Sequence, residues 1–180
     1  DEILQGKLRD QFVVDVFQMG AGTSLHMNVN EVLANRAVEI LGGQKGDYAK
    51  VNPNDHVNFG QSTNDVFPTA IRIATRLYLN ELIPVLKKLS EALTDKGREF
   101  DDVIKSARTH LQDAVPIRLG QEFTAYGVAI EKAANRIEAS AIEIEELGLG
   151  GSAAGTGLNT HPDYPKKVVA LIAEETNVPF

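Results

Sequence analysis

Ser62, Thr63, Asn64 and Asp65 stand together in GQSTNDVFPTA, directly before Phe67-Pro68 and a long helical pattern. All four are preferred N-cap types, because a side-chain oxygen can accept from the orphan N–H groups of a first helical turn. One such residue suffices as a cap. The surplus is available to a ligand, and a helix N-terminus favours an anion through its N–H groups and its dipole. The run is therefore either an over-capped helix start or an anion site. Similar constructions occur twice more. Met19-Gly20-Ala21-Gly22-Thr23-Ser24 sets two hydroxyls ahead of another helical pattern, with glycines that let backbone approach a ligand closely. In SARTHLQD, Thr109 and His110 precede Gln112 and Asp113, and Pro116 is expected to open the next helix.

The elements that must position these groups are predicted to be helices. After Thr23 and Ser24, the residues Met27, Val32, Leu33, Val38, Ile40 and Leu41 supply apolar positions, and Gly42-Gly43 stops the run. From Val66 to about Phe100, Ile71, Ala74, Tyr78, Leu82, Val85, Leu89 and Leu93 recur in steps of three and four, a helical period. Pro84 is expected to kink or divide that helix. A third long helix is predicted over 116–147, with Leu119, Phe123, Tyr126, Ile130, Ala134, Ile137 and Ile144 along its stripe. Long neighbouring helices of this kind signify an elongated bundle. Both carry apolar residues beyond one narrow stripe, among them Ile73, Leu77, Leu79 and Ile142, so each needs more than one neighbour.

The remaining stretches are less regular. Residues 1–18 are amphipathic and compatible with helix or strand, with Phe12-Val13-Val14 and Val16-Phe17 as an apolar packing anchor. Asn52-Pro53-Asn54-Asp55 is a turn-forming cluster in a loop over 44–60. His56 is a ligand or, preferably, a local structural group. Residues 148–160 hold five glycines and suit a flexible connector or a close-packed loop. A last helix is predicted from Asp163 to about Thr176, opened by His161-Pro162 or Pro165.

Composition narrows the function classes. The 180 residues carry a net charge of −7, which argues against nucleic-acid binding but not against a small anion held by local donors. There is no cysteine, so disulfides and thiolate chemistry are excluded. His26, His56, His110 and His161 lack paired helical spacing, so no metal site is expected. No apolar run approaches a membrane span and no signal-peptide pattern opens the chain, so a cytoplasmic location is expected.

Four stretches, GAGTSLHMNVNEVLANRA, NPNDHVNFGQSTNDVFPTA, ARTHLQDAVPIRLGQEF and GGSAAGTGLNTHPDY, resemble the fumarase/aspartase superfamily closely, in the family's order. The resemblance implies an all-α fold: an N-terminal lyase domain over 1–100 that runs into the first long bundle helix, then the start of the central helical bundle over 101–180. It implies a homotetramer with active sites shared between subunits, a small dicarboxylate substrate and no cofactor. The implied reaction is reversible anti elimination to fumarate. By position, Thr23 with Ser24, then Ser62, Thr63 and Asn64, then Thr109, resemble the family's substrate-binding segments. His110 resembles the residue assigned as acid/base or substrate orienter. Asn52, Asn54 and Asp55 fall where a second, non-catalytic anion site lies, with Asn52 standing where many fumarases have His.

NPNDHVN, QSTND and AGTS look more like aspartate ammonia-lyases, whereas LGLGGSAAGTGLNTHPDY leans towards fumarase; aspartate is the favoured substrate and malate the alternative. The family's later loop of the type GSSxMPxKxNP, which carries a serine base and a lysine, has no match here. Residues 1–180 are therefore expected to be an N-terminal piece without turnover of its own. A non-catalytic helical scaffold of the same fold is the alternative from another class, disfavoured because the polar set is present.

Overall fold

A buried line at intervals of four, His26, Asn30, Ala34 and Val38, defines the first helix, α1, over Thr23–Ile40. This computed structural model describes residues 1–18 and 20–180; Met19, the first residue of the Met19–Ser24 stretch in the sequence, lies outside them. Gly22, at φ 94°, turns the chain into α1, and the Gln18 side chain rather than a local hydroxyl accepts the Leu25 N–H at 2.8 Å. At the other end Gly42, at φ 72°, lets Gly43 N–H reach Val38 O at 2.9 Å, the 6→1 bond of a Schellman stop. The glycine pair thus ends α1 as the sequence predicts. The apolar set does not hold as a face, because Ile40 and Leu41 are exposed while His26 and Asn30 are buried.

Residues 1–18 form turns with one 3₁₀ turn at Arg9–Gln11, neither the helix nor the strand the pattern allows. Polar groups hold this segment. Asn28 accepts from Val13 N–H and donates to Gln11 O, each at 3.0 Å, and Arg36 clasps Glu2 at 2.6 and 2.8 Å. Val13, Val16 and Phe17 are 79, 89 and 91% exposed, so the expected apolar anchor is not packed in this chain.

The second helix, α2, runs unbroken from Thr63 to Glu99, 37 residues and about 55 Å. Pro84 does not divide it, which corrects one of the outcomes expected from the sequence. The next stretch departs further. Residues Ile104–Thr109 (β1) and Gln112–Arg118 (β2) pair antiparallel, with Thr109 opposite Gln112 and Ser106 opposite Pro116. Their two-residue turn, His110-Leu111, has φ values of 48° and 61°, the left-handed pair that matches strand twist in tight hairpins. Pro116 is therefore a strand residue in a two-stranded ribbon, where its missing donor faces no third strand, and not a helix start.

The third helix, α3, begins at Leu119 and ends at Ala141, shorter than predicted at both ends, with a 3₁₀ turn at Glu143–Glu145 beyond it. The fourth, α4, spans Tyr164–Thr176 and ends at Asn177 in the left-handed region. Apart from the hairpin the architecture is all-α.

Two compact units divide the chain. The first comprises Asp1–Arg72 and Leu147–Phe180: α1, the first turns of α2, the glycine-rich loop and α4. The second is Ile73–Glu146, with the rest of α2, the hairpin and α3. In the second unit Gly120, Gly127, Ala134 and Ala141 are buried on α3 at intervals of seven. The seven-residue interval is the repeat of helices packed along a seam. Small residues let the backbones approach: Ser90 Oγ donates to Gly127 O at 2.9 Å, and a Cβ on Gly120 would meet the Gly97 carbonyl and the Asp101 backbone. Arg76 pairs with Glu145 at 2.6 Å near the far end of the same seam.

Candidate functional site

Within the first unit the start of α2 is built by a reciprocal cap. Ser62 Oγ accepts from Asn64 N–H at 3.1 Å, while Asp65 Oδ1 accepts from Ser62 N–H at 2.9 Å. This is a variant of the capping box: the cap side chain takes the N2 amide, and an aspartate at N3 reaches back to the cap N–H. Asp65 is only 5% exposed, and its second oxygen, Oδ2, accepts from Gly150 N–H at 3.0 Å and Ser152 N–H at 2.8 Å. Alternate amides of a loop that passes through left-handed conformations, Gly150 at φ 95° and Ser152 at φ 60°, make an anion-binding concavity. Here the chain's own carboxylate fills it. Asn64 Nδ2 donates to Ala153 O at 2.8 Å, adding a second tie between the same two segments. The glycine-rich loop is therefore close-packed against the start of α2, which decides between the two alternatives the sequence allows.

The start of α1 meets the same region. Gly22 packs on the Phe67 ring, where a Cβ would come within 2.5 Å. One turn into α1, His26 is 5% exposed and its Nδ1 lies 2.8 Å from Thr63 Oγ1. Its Nε2 is buried without a hydrogen-bond partner among the described residues. Burial pushes the imidazole pKa below its ordinary value, opposed by the Asp65 charge and by the Gln61 side chain, so the ring is neutral near pH 7. The Tyr164 hydroxyl is pushed up, first by burial and then by the Asp65 charge. Asp65 thus acts on groups of α1 and α4 as well as on the loop.

The predicted site residues distribute as follows. Thr23 opens α1 and bonds Gly20 O through Oγ1 at 2.7 Å, and Ser24 follows it in the first turn. Ser62, Thr63 and Asn64 form the start of α2, and the His26–Thr63 contact brings these two segments together. Thr109 ends β1 and His110 begins the hairpin turn, both exposed and both in the second unit. They sit on a strand turn and not on a helix start, so the third of the three similar constructions has a different local origin. Asn54 and Asp55 lie in a π-helical turn over Pro53–Val57, and Asn52 caps its start. Asn52 Oδ1 accepts from Asn54 N–H at 2.8 Å and Asp55 N–H at 3.1 Å, so these groups are bonded to one another. His56 Nδ1 accepts from Asn52 N–H at 2.9 Å, a local structural contact.

In the sequence Asp65 stands out only as a cap type and His26 only as a histidine without a metal-site partner, and neither is among the candidate site residues predicted from it. The Ser62…Asp65 spacing is a legible capping-box signal. His26 has the weaker signal of a histidine one turn after the Thr23-Ser24 pair.

The molecule is a mainly helical scaffold with one hairpin, its hydroxyls and amides gathered where the first two long helices begin. A family profile described as lyase matches residues 1–180. The chain is 55% identical to fumarate hydratase class II of Halobacterium salinarum and 54% identical to aspartate ammonia-lyase of Bacillus subtilis. Each match covers 100% of this chain and 38% of the relative. It also matches a solved structure of fumarate lyase:delta crystallin from Brucella melitensis bound to cobalt, with a TM-score of 0.90 and 49% identity over 100% of this chain and 39% of that one. The chain belongs to the fumarase/aspartase superfamily of lyases. It spans about two-fifths of the length of the curated relatives it matches.

Proposed function

We propose that the protein carrying this chain is a lyase that forms fumarate by reversible anti elimination from a four-carbon dicarboxylate, with L-aspartate as substrate and ammonia as the leaving group. The observation that supports this most is the meeting of the Thr23-Ser24 and Ser62-Thr63-Asn64 segments through His26 and Thr63, in a chain 54% identical to an aspartate ammonia-lyase. In this reading Thr23, Ser24, Ser62, Thr63, Asn64 and Thr109 donate to the substrate carboxylates, Thr23 giving up its bond to Gly20 O to do so. Removal of a proton beside a carboxylate moves negative charge onto its oxygens. Donors held in place stabilise that charge more in the transition state than in the ground state, which is the condition for rate enhancement. His110 serves as acid/base or as substrate orienter. Asn52, Asn54 and Asp55 are proposed as a second anion site.

Malate, with water as the leaving group, is the second reading, favoured by the 55% identity to a fumarate hydratase. Both substrates present two carboxylates to the same donors, so the donor set supports either. Among the described residues no helix is long and apolar enough to cross a membrane. A cytoplasmic homotetramer with sites shared between subunits completes the proposal. The full-length protein, assayed with aspartate and with malate for fumarate absorbance, tests it. Turnover of aspartate alone supports the main reading, turnover of malate alone the second, and turnover of neither overturns both.

A further inference from the structure

We propose that Asp65 is a positioning residue for the donors at the start of α2. Its carboxylate docks the glycine-rich loop on that turn and so fixes where Ser62, Thr63 and Asn64 present their polar groups. The inference rests on the fumarate-forming reading above and adds to it a residue that is itself too buried to touch the substrate. Three backbone amides converge on one carboxylate: Ser62 N–H on Oδ1 at 2.9 Å, Gly150 N–H at 3.0 Å and Ser152 N–H at 2.8 Å on Oδ2. Asn64, the adjacent residue, is tied to the same loop through Ala153 O at 2.8 Å.

The geometry explains why a carboxylate is needed. Both oxygens must accept, since donors approach each of them, and only the ionised acid accepts on both sides without presenting a donor. An amide of the same shape turns one NH₂ towards an incoming N–H, leaving buried donors facing each other. The capping duty alone asks for one oxygen, on the Ser62 side. The second oxygen is used wholly by the loop, and the left-handed backbone at Gly150 and Ser152 is what aims both amides at it. His26, which holds Thr63 Oγ1 at 2.8 Å, and Tyr164, the first residue of α4, both feel the Asp65 charge. The carboxylate therefore stands where α1, α2, the loop and α4 of the first unit are adjusted to one another.

The test uses the full-length protein and its Asp65→Asn variant, with steady-state kinetics and residue-resolved hydrogen exchange. In the wild type the amides of Ser62, Gly150 and Ser152 are expected to be protected, and more so with fumarate bound. In Asp65→Asn all three should exchange about tenfold faster or more, and KM should rise about tenfold, with thermal unfolding still cooperative at the assay temperature. A general loss of stability lowers the active fraction and hence apparent kcat, and leaves KM of the folded molecules unchanged; the KM rise separates the two. Unprotected amides in the wild type, unchanged exchange in the variant, or lost protection with unchanged KM each overturn the proposal. Should Asp65→Asn fail to fold, the wild-type exchange pattern with and without fumarate still decides. A wild type with no turnover of aspartate or malate sinks the fumarate-forming reading, while the exchange comparison continues to report on the docked loop.

Discussion

His26 is a polar side chain in a place where packing alone would have chosen an apolar one, and its burial has a measurable pH signature. Its folded-state pKa lies below the ordinary 6.5, chiefly through burial. The unfolded chain therefore binds a proton at a pH where the folded one does not, and protonation favours unfolding. The contribution to stability is complete above pH 6.5 and is lost as pH falls from there through the lower folded-state pKa. The denaturation midpoint should drop over this window, and a His26→Asn variant should show a shallower dependence; equal slopes refute the assignment. Thr109 and His110 are separable by their chemistry in the full-length protein. Thr109→Val removes a hydroxyl donor while keeping shape, so substrate binding and rate should both weaken, by about 1.5–3 kcal/mol for a hydrogen bond to a charged group. His110→Asn retains a donor but not a titrating group, so its pH–rate profile should change form. If both variants keep wild-type turnover and pH dependence, the pair is structural.

At the scale of elements, the packed seam between α2 and α3 reverses an ordinary expectation. Replacing glycine by alanine in an exposed helix gains up to about 1 kcal/mol of helix propensity. At Gly120 the new methyl meets the Gly97 carbonyl and comes within 2.8 Å of Asp101 Cα, backbone atoms that cannot swing away. Gly120→Ala should therefore destabilise the protein by about 1–3 kcal/mol, seen as a lower thermal midpoint, and a raised midpoint would falsify this account of the seam. The same elements show what a sequence discloses. The helices over Thr23–Ile40 and Thr63–Glu99 were legible almost to the residue, because three-to-four periodicity and the Gly42-Gly43 stop are local signals. The β1–β2 hairpin was not. Pro116 fits a first helical turn as well as an edge strand, and His110-Leu111 contains none of the Gly or Asn residues that usually announce a left-handed turn. In the candidate site, Ser62, Thr63 and Asn64 were legible as cap types. The dock at Asp65 was hidden because its partners, Gly150 and Ser152, lie 85 and 87 positions away.

For the whole molecule, the exposed apolar surface calls for neighbours. On α2 Ile71, Tyr78, Leu82, Val85 and Leu89, the stripe the sequence displayed, face outward, while a different line that includes Ser90 and Gly97 is buried. Tyr78 is 71% exposed. A helix apolar on two sides is stable in water only when both are covered. Light scattering of the full-length protein should therefore report an oligomer, a tetramer in the proposed reading, and a monomer at micromolar concentration rules the proposal out. A last consequence is kinetic. The first unit is discontinuous in the chain, and the bond from Gly150 to Asp65 spans 85 positions. Closing a flexible segment of that length costs about 4 kcal/mol of chain entropy, about 1 kcal/mol more than joining α2 to α3 at Ser90 and Gly127, 37 positions apart. The expected order of folding is that the more local α2–α3 pair forms first and the donors of the candidate site come into register after the main barrier. In a chevron, Asp65→Asn should then speed unfolding and leave the folding rate nearly unchanged, whereas Gly120→Ala should slow folding.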